Sequence, residues 1–280
     1  MGYYDDVQKL PEQSVLNIQK FIDEKRKLLK KSEEFVNPIL REDIFDLLSK
    51  ECTVVYYPLK AEENDGFHVQ MPVNGIKQHF VYINTAKPQE KQIYAAAHEL
   101  GHIWTDNGRK IGEAPQCPEE DDLLMNRFAA ELLMPAELFG SLATKKLAEF
   151  SDSPGQISED NFFRVAAFLM DEYFVPFYAV VRRLGELKIM TWDTCSDIEN
   201  RLYKENPDGE KMLRDCINEG GYSKLLAKPS EKRSMTGFTE LLNRAEEIGL
   251  FRPQKVTYLR KELNLPKVGD SQKMLPLIER

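Results

Sequence analysis

The chain has 280 residues, 42% hydrophobic and 30% charged, the balance of a soluble globular protein with room for one large domain or two ordinary ones. Its net charge of -8 and pI near 5.3 argue against general nucleic-acid binding, because phosphate repels such a surface. No stretch approaches the ~20 apolar residues of a membrane span, and the four cysteines form no CxxC pair, which argues against a disulfide framework or a cysteine zinc knuckle.

In chain order, 14–50 has the apolar rhythm of helix, broken at Asn37-Pro38. Cys52-Thr-Val-Val-Tyr-Tyr57 is a β-branched and aromatic run closed by Pro58, hence a strand. Phe67–Met71 alternates apolar and polar residues as a half-buried strand does, and Asn74-Gly75 turns the chain into a returning strand, 78–83. Pro88 opens a helix that runs to about Asp106 and is closed by Asn107-Gly108. The stretch 109–121 reads as loop, and 121–134 as a second helix ended at Met134-Pro135. Helices are predicted at 136–149, 159–173, 176–188, 194–205, 209–218, 236–249 and 254–263. The acidic, polar opening carries no leader-like segment, and the unpaired thiols suit a reducing cytosol, so a cytoplasmic protein is expected.

The chemistry is concentrated in His98-Glu-Leu-Gly-His102. At helical spacing His98 and His102 lie one above the other on one face, where both imidazoles can reach one zinc ion at ~2.0–2.1 Å. Glu99 projects beside them, placed as the general base that takes a proton from a metal-bound water, whose pKa zinc lowers to ~7. Two histidines and a glutamate in this frame arise by chance in on the order of one per cent of chains. Here they use two of only four histidines. A catalytic zinc needs a third protein ligand. Asp106 is about 12 Å from His98 along a straight helix, too far to share the site. No histidine follows His102, so the third ligand is expected from the next helix, as in gluzincin-like sites.

That next helix contains Asp122-Leu-Leu-Met-Asn-Arg-Phe-Ala-Ala-Glu-Leu-Leu-Met-Pro135. With the HELGH motif, it resembles the ImmA/IrrE metallopeptidases, whose corresponding segment has the form ExxANxFAAELLMP. The resemblance covers about residues 40–190, including Ala179-Val-Val-Arg-Arg-Leu184. It implies a zinc site of His98, His102 and Asp122, Glu99 as general base, and Asn126 as the residue that orients a ligand histidine. The chain departs from the pattern at two positions, with Asp122 for the usual Glu and Met125 for the usual Ala. Asp is one methylene shorter, so either the second helix sits closer or Glu119, Glu120 or Asp121 substitutes; Asp122 is the choice. Cys117, between Pro115 and Pro118, reads either as an ordinary loop thiol or as an inhibitory fourth ligand.

The expected fold is α+β: an N-terminal helical segment (1–50), a gluzincin-like domain with a small antiparallel sheet packed on the HExxH helix (51–190), and a mainly helical C-terminal region (191–280). Strand 78–83 is expected at the cleft edge, pairing with an extended peptide. His68 and His79 are expected at the surface, with a secondary reading in which one steadies an oxyanion. The 162–184 pair has a helix-turn-helix rhythm and is read as packing. The resemblance implies an endopeptidase that cleaves a helix-turn-helix repressor in a stress, mobile-element or antiphage response. The alternatives are a non-cleaving binder of such a partner and, more remotely, a small-molecule metallohydrolase. The lysines and arginines between Lys224 and Lys261 make the C-terminal part locally basic, a solvated face or a dock for a partner or regulatory nucleic acid.

Overall fold

The computed structural model describes residues 10–31, 38–60, 64–73, 75–112, 117–263 and 265. Two helices open it, α1 (Glu12–Lys31) and α2 (Asp43–Glu51), on either side of the expected break, whose Asn37 lies outside the described residues. Strands β1 (Thr53–Tyr57), β2 (Gly66–Val73) and β3 (Ile76–Asn84) follow, then α3 (Gln89–Thr105). Beyond it come α4 (Pro118–Leu133), α5 (Ala136–Glu149), α6 (Glu159–Tyr173) and α7 (Phe177–Glu186). The C-terminal part adds α8 (Trp192–Asp197), a π-helical stretch (Ile198–Lys204), α9 (Gly209–Glu219), β4 (Ser234–Met235), α10 (Phe238–Glu247) and α11 (Pro253–Glu262).

The α+β expectation holds, but the sheet is mixed. Its order is β2-β3-β1-β4, with β1 and β3 parallel from Thr53↔Phe80 to Tyr57↔Asn84, and the other two pairs antiparallel. β3 is therefore central, and the edge strand that borders the cleft is β2, not 78–83 as expected. A parallel β1/β3 pair requires a crossover, and the β2 hairpin arm supplies it. The alternation in β2 is also inverted. Phe67, Val69 and Met71 are exposed, while Gly66, His68 and Gln70 are partly buried.

Helix α3 lies across this sheet. Ala95, Ala96 and Ala97 are buried and small, and Gly66 meets the helix so closely that a Cβ there would stand 3.3 Å from that of Ala95. Gly101 performs the same service on the α4 side: a Cβ would fall 2.9 Å from both Met125 Sδ and Phe128 Cδ1. Chain exit from α3 uses left-handed backbone at Asp106, Asn107 and Gly108, with the Asn107 amide donating to His102 O at 2.9 Å. Helix α4 starts three residues earlier than the sequence pattern suggests. Pro118 suits a first helical position, and Glu119, Glu120 and Asp121 favour the positive end of the helix dipole.

A buried ion network fixes the far end of α4. Arg183 of α7 is fully buried, donating to Glu131 Oε2 at 2.7 Å, to Glu186 Oε2 at 2.8 Å and to Met134 O at 3.0 Å. Arg127 adds a 2.6 Å bond to Glu131, and Gln19 of α1 a third. The 162–184 pair is α6 and α7, buried along Phe163, Val165, Ala166, Leu169, Val180 and Val181, as the packing reading expects. The core continues across residue 190 through Cys195, Ile198, Leu202, Leu213, Cys216 and Ile217. Among the described residues no helix is long and apolar enough to cross a membrane.

Candidate active site

Helix α3 presents His98 and His102 one turn apart at the floor of a cleft of about 780 Å³. Their Nε2 atoms are 3.3 Å apart. Each Nδ1 is engaged elsewhere: that of His98 lies 3.1 Å from Asn126 Oδ1, and that of His102 lies 3.3 Å from Asp121 Oδ2. With His98 Nδ1–H donating to Asn126 Oδ1, and Asp121 within ion-pair distance of His102 Nδ1, both rings can offer an Nε2 lone pair to the same region. Asp122 brings Oδ1 to 3.6 Å from His98 Nε2, and one atom each from His98, His102 and Asp122 lie within 4.8 Å of one another. Two nitrogens on a tetrahedral zinc at ~2.0–2.1 Å stand about 3.3 Å apart, so this donor set fits such an ion. Asp122 is largely exposed, which leaves the solvent side open.

The adjacent carboxylates thus have different places. Asp122 joins the converging atoms, whereas Asp121 lies at ion-pair distance from the outer nitrogen of His102. At Gly101, which has no side chain, α4 packs closely against α3. Glu99 is buried within the same cleft. Burial pushes its carboxyl pKa up, against the opposing pull of His98 and His102. Burial would depress the His98 pKa, but the bond to Asp122 and the charges of Glu99 and Asp122 raise it overall. Asp122 is correspondingly lowered, first by that bond. Cys117 is exposed at the N-cap of α4 and is not among the converging atoms.

His68 and His79 depart from the surface placement expected of them, and both are partly buried. His68 Nε2 is 2.8 Å from His79 Nδ1, the two rings stack at 5.0 Å, and the His68 ring lies over that of His102 at 5.9 Å. Burial, then the neighbouring His79 and His102, push the His68 pKa down to about 4. The polar face of β2, which carries Gly66, His68 and Gln70, is a wall of the cleft and not a solvent face. The opposite wall was not anticipated either. Arg182 of α7 lies over the Tyr178 ring at 4.8 Å and grips Glu199 at 3.0 and 2.8 Å, while Lys204 holds the same carboxylate at 2.7 Å. The π-helical turn stacks residues five apart, which brings Lys204 over Glu199.

Among the described residues, His98, His102 and Asp122 thus form a group that could hold a metal ion, beside the buried carboxylate of Glu99 in an open cleft. Comparison with the curated proteins and with solved structures gives no match to the chain. Residues 49–184 do match a family model, the IrrE N-terminal-like domain of the M78 peptidases. The matched span contains β1–β3, all of α3 and α4, and the Arg183 that locks them. Across residues 49–184 the chain is therefore similar to the IrrE N-terminal-like domain of the M78 peptidases, consistent with the ImmA/IrrE resemblance carried by its HELGH and FAAELLMP segments.

Proposed function

We propose that the protein is a zinc-dependent endopeptidase that cuts a protein substrate, with His98, His102 and Asp122 as ligands and Glu99 as general base. The observation that carries this reading is the convergence of two Nε2 atoms and one carboxylate oxygen, each histidine having its other nitrogen occupied. Two imidazoles, one carboxylate and an open side favour zinc over magnesium or calcium, which prefer oxygen ligands. When bound, such an ion supplies Lewis-acid chemistry, polarising a carbonyl and acidifying water toward a pKa of ~7. Asn126 and Asp121 orient the rings. Glu99, buried and drawn between desolvation and its histidine neighbours, takes and returns the proton. The edge of β2 bordering the cleft offers backbone hydrogen bonds to an extended chain, which suits a peptide.

The substrate, on this reading, is a helix-turn-helix repressor encoded beside the peptidase. Its cleavage relieves repression in a stress, mobile-element or antiphage response, and the setting is the cytoplasm. The test is incubation of the zinc-loaded protein with that repressor, alongside Glu99→Gln. Loss of cleavage with zinc stoichiometry retained supports catalysis. Equal effects of both proteins on repressor activity, without fragments, would establish the binder instead.

A further inference from the structure

All four histidines of the chain stand in one row. From His79 the ring centroids step 5.0 Å to His68, 5.9 Å to His102 and 5.1 Å to His98. The last two are accounted for by the metal. The first two are not, and they come from the hairpin rather than from the motif helix. His68 lies on the edge strand that borders the cleft and lines it. Its Nε2 is bonded to His79 Nδ1 at 2.8 Å, so its Nδ1 is the nitrogen left for another partner. When His79 donates that bond, the proton of His68 sits on Nδ1, and Nδ1 is the donor.

A packing role alone does not explain this choice of residue. On β2 the apolar side chains Phe67, Val69 and Met71 face away from the cleft and are exposed, whereas the imidazole is turned inward. Hydrophobic burial would favour the reverse orientation. Turning a polar ring toward the metal floor gains something only if it meets a polar ligand there.

We infer, resting on the peptidase reading above, that His68 is a catalytic residue that donates a hydrogen bond to the oxyanion of the scissile carbonyl, and that His79 is a positioning residue that sets its ring. No bond to His68 is made or broken. Its proton stays on the ring while the carbonyl oxygen gains charge, so the contact is stronger in the transition state than with bound substrate.

The test compares wild type, His68→Phe, His68→Asn and His79→Phe as full-length, zinc-loaded proteins. Two readouts are taken: turnover of a quenched-fluorescence peptide library, and the affinity of a phosphinic peptide that mimics the tetrahedral state. Phe keeps a flat ring beside His102 and lacks a donor; Asn restores one. Loss of one oxyanion donor costs about 10²–10³ in kcat, so His68→Phe should fall by roughly that factor with KM and zinc content unchanged. His68→Asn should recover part of the loss, and His79→Phe should fall less than His68→Phe. Phosphinate affinity should drop in His68→Phe, in parallel with kcat/KM. Unchanged kcat and phosphinate affinity in His68→Phe would overturn the role of His68 while leaving the peptidase intact, as would a rise in KM alone. A wild type that binds the phosphinate through His68 but cuts nothing would overturn the peptidase and leave the donor standing. Failure of both binding and cleavage overturns the two together.

Discussion

The division of labour between Asp121 and Asp122 gives a quantitative test of the metal centre. Asp122 is one of three converging donors, whereas Asp121 would act on a bound metal only through His102 Nδ1. Complete structural zinc sites bind with ~10–16 kcal/mol, so one ligand of four carries roughly 3 kcal/mol, or about 100-fold in affinity. Orienting partners of ligand histidines contribute ~10–100-fold. Asp122→Ala should therefore weaken zinc binding by at least about 100-fold, and Asp121→Ala by about tenfold. Asp121→Asn should fall by less than Asp121→Ala, because an amide oxygen still accepts from His102. Asp122→Asn should resemble Asp122→Ala, since the amide lacks the anionic charge that makes the ligand. Competition against a chromophoric chelator at fixed pH measures all four. A greater loss in Asp121→Ala than in Asp122→Ala would exchange the roles and refute the geometry.

Gly101→Ala improves helix propensity but sets a methyl 2.9 Å from Met125 Sδ and Phe128. Overpacking of about 1–3 kcal/mol should exceed the helix gain of ~1 kcal/mol, lowering the urea midpoint and, by pushing α4 outward, the zinc affinity. Burial raises the Glu131 carboxyl, but Arg183 and Arg127 overcome it and hold its pKa at about 2, below the ordinary 4.5. A depressed folded pKa means the contribution, roughly 3 kcal/mol, is complete above 4.5 and vanishes as pH falls through 2. Denaturation midpoints between pH 5 and 2 should therefore slope less in Glu131→Gln, which should itself be several kcal/mol less stable for leaving Arg183 buried with one carboxylate fewer. Cys117→Ala should leave zinc stoichiometry and basal turnover unchanged, because the thiol is exposed outside the converging atoms. Raised turnover would restore the inhibitory-ligand reading.

What the sequence made legible was whatever repeats at short range. His98, Glu99 and His102 are read from one helical turn, and α3 and α4 from apolar periodicity closed by Asn107-Gly108 and Met134-Pro135. Strand positions were readable too, because β-branched and aromatic runs need no partner to be recognised. Sheet order was not. Nothing local tells Val81 that it lies beside Val54 rather than only beside His68, so β3 was placed at an edge that β2 occupies. The same limit hid the sidedness of β2. Alternation identifies two faces but not which is covered, and here a cleft covers the polar one.

Adjacent acids posed a finer version of that problem. Asp121 and Asp122 differ by 100° around α4, and the choice between them depends on how near α3 comes, which Gly101 and Met125 decide across the helix interface. Arg182, Glu199 and Lys204, to which the sequence assigned no role, and His68, expected at the surface, share one property: each lines the cleft from an element whose local pattern says only strand or helix. Motif residues mark the candidate metal site because two of its three donors lie one helix turn apart, with Asp122 added from α4. Recognition of a polypeptide needs walls on both sides of that metal, and walls are assembled from segments more than a hundred residues apart, so substrate handling is where tertiary structure adds most to what the motif declares.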